Sequence, residues 1–216
     1  SDHAAVDHYK IQQESNAAFH FQTMETRLGA DARFSNHAIT TGAVLGRNDI
    51  RGKLIGAGGE AICNGLYLLK GKQVFDTHMF MDHAVEKCNS HELYKGILDE
   101  KSKAIFCGRI LVQQDAQQTD AVQSNRNLLL SRGAKIHSLP QLEIYADDVK
   151  CTHGATVGEL DEAALYYLET RGIDPVRGKA MLTFAFANEV LDEMKCSAVK
   201  TYVEKLVQEW LEKVSG

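Results

Sequence analysis

The chain has 216 residues, of which 44% are hydrophobic and 25% charged, and its formal net charge is −5. This composition is that of an ordinary globular chain, long enough to bury a sizeable core. The acidic balance and the lack of a Lys/Arg cluster argue against a dedicated nucleic-acid surface. No apolar run approaches the roughly 18 residues of a membrane span, and the polar start SDHAAVDHYK is not typical of a signal peptide.

The cysteines give information about the compartment. There are five of them, an odd number, and no CxxC pair occurs among positions 63, 88, 107, 151 and 196. This pattern is typical of free thiols in a reducing environment and not of a disulfide framework. We therefore expect a cytoplasmic protein.

From residue 6 to about residue 156 the sequence is a train of short strand-like segments separated mostly by glycines. Apolar and polar residues alternate clearly in Phe19–Met24 and less strictly in Val74–Phe80. Strand starts recur at roughly 12 to 18 residues, a spacing that fits either an antiparallel sandwich or barrel built from hairpins or a β-helix. The predicted strands include Val6–Gln13, Phe19–Arg27, Arg33–Thr41, Lys53–Ile55, Ala61–Leu69, Gln73–Met81 and Ala104–Gln113.

The turn residues favour the β-helix weakly. Tight hairpins prefer Asn-Gly or Asp-Gly dipeptides. The only such dipeptide here is Asn64-Gly65, and it lies inside the apolar run AICNGLYLL, where a turn is not expected.

Beyond Gly158 the periodicity becomes helical. Glu159–Arg171 has leucines and alanines at helical spacing with acids in its first turn. Asp174 followed by Pro175 is a strong start signal for a second helix, and Ser197 is the predicted cap of a third. A β-rich region followed by a helical region suggests two units. We place their boundary between a β-helix core of residues 1–157 and a C-terminal helical domain of residues 158–216.

The segment LEIYADDVKCTHGATVG brings two candidate ligands together. Cys151 and His153 are two positions apart, so in a strand their side chains project from the same face. A thiol and an imidazole are metal ligands and can also act as nucleophile and base. Two ligands fall short of the four of a tetrahedral site. The alternative is a buried structural cysteine beside a hydrogen-bonded turn histidine.

No enzyme site stands out among the other polar residues. The pairs Asp76/His78 and Asp82/His83 have the residue types of a catalytic Asp-His dyad. No exposed nucleophile lies near them in the sequence. The last predicted helix carries Tyr202 and Trp210. These aromatics either pack within the helices or form a surface that binds a partner, since three short helices bury few aromatics among themselves.

Three segments resemble a known family. The run PQLEIYADDVKCTHGATVGELDEAALYYLETRGI is closely similar to the SufB/SufD family of iron–sulfur cluster assembly proteins, and to its SufD branch in particular. GRILVQQDAQQTDAVQSNRNLLLS fits the same family, and AFHFQTMETRLGADARF fits it more loosely. The resemblance covers essentially the whole chain, which looks like the C-terminal core of a longer protein.

The resemblance implies a mainly β fold, a right-handed parallel β-helix followed by a small α-helical domain. It also implies a non-enzymatic scaffold that pairs with SufB through the β-helices and binds the SufC ATPase through the helices, where Trp210 and Tyr202 are the candidate contacts. The histidine that SufD contributes across the SufB interface matches His153, with Cys151 beside it. His153 would thus be a metal ligand shared with the partner subunit.

The SufB-type cysteine position falls in SNRNLLL, residues 124–130, which contains no cysteine. This departure favours SufD over SufB. It implies that the chain alone holds no stable cofactor and that an iron–sulfur cluster is present transiently in the full complex. The alternatives are a carbohydrate-active β-helix enzyme and a structural module that self-associates, including as a homodimer when its partner is missing. The lack of tryptophan before residue 210 counts against the enzyme.

Overall fold

The computed structural model describes residues 1–215. Within this range the chain forms eleven strands followed by three helices. The strands are β1 (Ala5–Gln12), β2 (Phe19–Leu28), β3 (Arg33–Thr40), β4 (Leu45–Leu54), β5 (Glu60–Leu69), β6 (Val74–His83), β7 (Asn89–Leu98), β8 (Lys103–Val112), β9 (Thr119–Leu129), β10 (Lys135–Ile144) and β11 (Val149–Gly158). The helices are α1 (Glu162–Thr170), α2 (Pro175–Leu191) and α3 (Ser197–Ser215).

Consecutive strands alternate between two parallel sheets, so the strand region is a β-helix of about five turns. Sheet A has the order β1-β3-β5-β7-β9-β11, and sheet B the order β10-β8-β6-β4-β2. Residues one turn apart become neighbours: His8 bonds Asn36, 28 positions later, and Glu92 bonds Gln123, 31 positions later. The predicted fold class, a parallel β-helix followed by a helical tail, is confirmed, and the antiparallel sandwich was the wrong alternative.

Several strands differ from their predicted positions. β7, β9 and β10 were not among the strands named from the sequence, and the short segment Lys53–Ile55 overlaps the end of the ten-residue β4. These strands carry polar and charged side chains on both faces, which hides the period-2 pattern. The parallel pairing of whole turns satisfies their backbone groups and holds them in the sheet.

The two sheets differ in burial, and this difference explains the sequence patterns. In β5 and β7 the last residues are buried without interruption, because the helices cover the outer face of sheet A. β4 and β8 in sheet B alternate between buried and partly exposed residues, because their outer face meets solvent. A strand buried on both faces gives a continuous apolar run, as in AICNGLYLL.

Two tyrosine rings fill the β-helix interior by lying over glycines on the neighbouring turn. Gly65 is in register with Tyr94, and Tyr67 with Gly96. A Cβ on Gly65 would lie 2.2 Å from Tyr94 Cε1, and one on Gly96 would lie 2.1 Å from Tyr67 Cε2. The Asn64-Gly65 dipeptide is therefore a packing feature of β5 and not a turn.

The helix starts follow their capping residues. The Asp161 carboxylate accepts hydrogen bonds from the backbone N–H groups of Ala163 and Ala164 at the start of α1. Asp174 caps α2 with Pro175 at its first position, as predicted. The prediction for α3 was wrong by one residue: Ser197 is already helical, and the Cys196 carbonyl accepts the Lys200 N–H at 3.0 Å.

The helices pack on the outer face of sheet A and share a second core with it. α2 contacts β5 and β7, and α3 packs on α2. The buried Lys95 of β7 donates to the Phe186 carbonyl at 3.0 Å and pairs with Glu189 at 2.7 Å, which ties α2 to the sheet. Burial lowers the pKa of the Lys95 amine, and the Glu189 carboxylate opposes this shift. None of the helices within residues 1–215 is long and apolar enough to cross a membrane.

Candidate functional site

The two sheets end together at β10 and β11, and this end of the β-helix is uncovered. Among residues 1–215, β11 pairs only with β9 and β10 only with β8, so each presents a free edge in this part of the chain. Exposed apolar side chains surround this end: Leu139, Tyr145 and Val157 are 56%, 65% and 53% exposed. Unpaired strand edges together with exposed apolar groups are features of a surface that another chain can cover.

Cys151 and His153 lie on this last turn and project from the same face of β11. Their register partners in β9 are Ala121 and Gln123, which are 0% and 1% exposed inside the β-helix. Since register partners in a sheet point to the same side, both residues point along the interior face. The expectation that they share one face agrees with this geometry.

The Cys151 thiol is half-buried and packs against the β-helix core. Burial raises its pKa, a hydrogen bond from the Ala121 backbone opposes this shift, and the charge of Asp120 adds to it. The thiol is therefore protonated at neutral pH. It becomes a thiolate only when a metal or a base takes its proton.

His153 is exposed at the open end of the same face. Beside it, Gly154 has no atom within 4 Å of the position that a Cβ would occupy, so the surrounding surface is open. The imidazole is free to turn either ring nitrogen outward. A second chain has room to approach it closely.

These two residues alone are too few to make a metal site. Within residues 1–215, no group of three or more His, Cys, Asp or Glu side chains is arranged to hold a metal ion. The segment 124–130 adds no thiol: Ser124, the register partner of Gly154, lies on the opposite face of the sheet from Gln123. Within residues 1–215, a metal bound at Cys151 and His153 would therefore lack the further ligands of a complete site.

A column of polar residues runs behind His153 through the β-helix interior, and sequence reasoning missed it. Successive register partners on sheet A form this polar column, which consists of His8, Asn36, Cys63, Glu92, Gln123 and His153. The signal in the sequence is a polar residue at the same inward position of each turn. It becomes visible only when the register of the turns is known.

Glu92 is the buried acid of the polar column. It is 0% exposed, and burial raises the pKa of its carboxyl to about 7, while a hydrogen bond from Gln123 opposes the shift. Gln123 Nε2 donates to Glu92 Oε2 at 2.5 Å. Burial also raises the pKa of the neighbouring Cys63 thiol, with Glu92 adding to the effect, so Cys63 is an inert protonated thiol.

The helical aromatics occupy different environments. Trp210 is 5% exposed and belongs to the core shared by sheet A and the helices, so it does not offer the surface contact expected of a partner anchor. The expectation overlooked the outer face of sheet A as a packing partner. Tyr202 is 49% exposed and donates to Gln13 Oε1 at 2.6 Å. Tyr166 and Tyr167 of α1 are more exposed, at 69% and 57%.

The fold defines a class: parallel β-helix proteins with a helical tail on one sheet, here with two candidate ligands, Cys151 and His153, on the last turn. Residues 1–186 match the family model described as SUF system FeS cluster assembly, SufBD core domain. The chain belongs to the SufBD core family.

Named relatives agree with this assignment. The chain is 36% identical over 200 residues to the iron-sulfur cluster assembly protein SufD of Escherichia coli K12, covering 93% of this chain and 47% of that protein. It is 34% identical over 206 residues to an iron-sulfur cluster assembly SufBD family protein of Synechocystis, covering 95% and 46%. A SufBD family protein of Mycobacterium leprae is 30% identical over 189 residues, covering 84% and 48%. The chain spans about half the length of these relatives.

Proposed function

We propose that this chain is the core of a SufD-type scaffold subunit that assembles iron–sulfur clusters together with a SufB-like subunit and a SufC-like ATPase. The single observation that carries the proposal is the thiol and imidazole pair on the last turn of the β-helix, whose outer strand edges are free within residues 1–215. The family match and the similarity to SufD support it. In this role the chain is not itself an enzyme. All five cysteines are free, which suits a reducing cytoplasmic setting.

The chemistry assigned to this chain is ligation and proton release. His153 offers a neutral ring nitrogen to iron at the open end. Cys151 offers a thiol whose raised pKa keeps it protonated until a metal displaces the proton. The cluster is the cargo of this site. It is held by ligands from both subunits, is handed on, and does not remain on this chain alone.

The SufB-like partner covers the open end. The free edges of β10 and β11 add to the partner's sheets, and the exposed Leu139 and Val157 become buried between the two β-helices. This joint brings the partner's ligands to His153.

The helical tail is the proposed ATPase platform. Trp210 packs in the core between the helices and sheet A. The contact surface consists of Tyr166 and Tyr167 of α1 together with Tyr202. Aromatic side chains that are exposed in a free subunit are common anchors of protein interfaces.

The test is co-expression with a SufB-like and a SufC-like subunit, followed by measurement of the heterodimer dissociation constant. Val157→Glu places a charge at the open end and should weaken SufB-like binding by on the order of tenfold or more. Val176→Glu is the matched control, because Val176 is 52% exposed but lies on α2. It should leave this binding unchanged. Equal effects of both variants, or assembly into a homodimer only, would contradict the proposal.

A further inference from the structure

The Gln123 side chain crosses the β-helix interior one turn behind His153. Its amide lies against the backbone of β8: a Cβ on Gly108 would be 2.4 Å from Gln123 Nε2 and 2.6 Å from its Oε1. The amide therefore fits only because position 108 is glycine. This packing fixes where the amide sits.

The hydrogen bonds of Gln123 are one-sided. Nε2 donates toward β7, to Glu92 Oε2, whereas Oε1 is buried and has no hydrogen-bond partner within residues 1–215. Nε2 and Oε1 are bonded to the same carbon of Gln123. Because Nε2 is directed toward β7, Oε1 is left for the opposite neighbour of Gln123 in the polar column. That neighbour is His153 of β11. A buried acceptor without a donor is costly and calls for a partner.

We propose that Gln123 is a positioning residue for His153: its Oε1 accepts the N–H of one imidazole nitrogen, which leaves the other nitrogen unprotonated and directed out of the open end. His153 is exposed and lies in register with Gln123 on the neighbouring strand. Histidines that bind metals commonly donate their second ring N–H to an oxygen acceptor, and that bond selects the tautomer. The assignment of the outward nitrogen as an iron ligand rests on the proposed function, whereas the hydrogen bond between Gln123 and His153 does not depend on it.

Glu92 orients the Gln123 amide. Its carboxyl oxygen accepts from Nε2 and so keeps Oε1 turned away from Glu92. A glutamine at position 92 retains an acceptor oxygen of the same reach, whereas a leucine retains none. The conservative substitution should therefore preserve the tautomer of His153.

The experiment measures the His153 tautomer by long-range ¹H–¹⁵N NMR of the ¹⁵N-histidine-labelled chain at alkaline pH. Gln123→Met keeps the length of the side chain and removes the strong acceptor. We expect the ratio of the two His153 tautomers to move by about fivefold or more toward an unbiased mixture. Glu92→Gln should keep the ratio within about twofold of the wild type, as should Gln141→Met, a control at an exposed site on β10.

An unchanged tautomer ratio in folded Gln123→Met would overturn the proposal. If that variant does not fold, Gln123→Asn provides the same test, because it keeps an amide but shortens the side chain by one methylene. An unchanged tautomer ratio in Gln123→Asn would also overturn the proposal. The reconstituted complex separates this proposal from the proposed function. If the tautomer shifts but cluster assembly does not depend on His153, the positioning role stands and the assembly role fails.

Discussion

The burial of Trp210 predicts that Trp210→Ala destabilises the fold and does not act primarily on partner binding. A buried tryptophan removes about 150 to 250 Å² from water, which at about 25 cal/mol per Å² is worth about 4 to 6 kcal/mol. Trp210 Nε1 is buried without a hydrogen-bond partner in the described chain, and that unpaired donor offsets about 1 to 3 kcal/mol. The net expected loss on truncation is about 3 kcal/mol, within the usual range for such substitutions.

The assay is urea unfolding followed by circular dichroism, together with thermal melting. A loss of about 3 kcal/mol should lower the Tm by about 6 to 12 °C for a chain of this size. Trp210→Phe retains most of the ring and removes the unpaired N–H, so it should cost less than about 1 kcal/mol. Tyr202→Phe, which loses only an exposed hydrogen bond to Gln13, should also stay below about 1 kcal/mol. A Trp210→Ala variant with wild-type stability but weakened ATPase binding would refute the internal role.

Three further predictions follow from the interior and the open end. Gly96→Ala drives a methyl group into the Tyr67 ring and should cost about 1 to 3 kcal/mol in urea unfolding; an unchanged midpoint would show that the rings repack freely. The pKa of Glu92 is about 7 in the folded chain against 4.5 for the free side chain. Between these two values the folded state holds a proton that the unfolded state releases. The stability that Glu92 contributes below pH 4.5 is therefore lost as the pH rises to 7. The free energy of unfolding of Glu92→Gln minus that of the wild type should therefore rise by on the order of 3 kcal/mol between pH 4.5 and pH 8. A difference that does not change with pH would contradict the burial of this acid. The isolated chain should be colourless after reconstitution with iron and sulfide, because it supplies Cys151 and His153 only; a stoichiometric, stable visible chromophore would contradict the shared site.

The sequence predicted those parts of the fold that local patterns encode. Asp174 and Pro175 marked a helix start because capping is a local interaction. β9 was missed because its polar groups find hydrogen-bond partners a full turn away, as the Gln123 amide nitrogen does in Glu92. Such pairings depend on the register of the turns, which no single strand encodes.

The candidate site likewise has one part that local sequence patterns predict and one part that they do not. The shared face of Cys151 and His153 follows from a spacing of two and was predictable. The burial of Trp210 was not, because it depends on the outer face of sheet A, where Leu66 and Leu68 of β5 supply the packing surface. The link between Gln123 and His153 likewise required the register of β9 and β11.

The central claim is that His153 acts on the cluster and not on the fold. The most direct measurement is His153→Ala in the complex with SufB-like and SufC-like subunits, with iron and acid-labile sulfide counted per folded complex. We expect cluster assembly to fall by at least about tenfold, while the heterodimer dissociation constant and the Tm stay close to wild type. His91→Ala is the control, an exposed histidine on β7, two strands away from β11 in sheet A, that should leave all three quantities unchanged. Undiminished assembly in His153→Ala, or a loss of assembly that only tracks a lower Tm, would contradict the account.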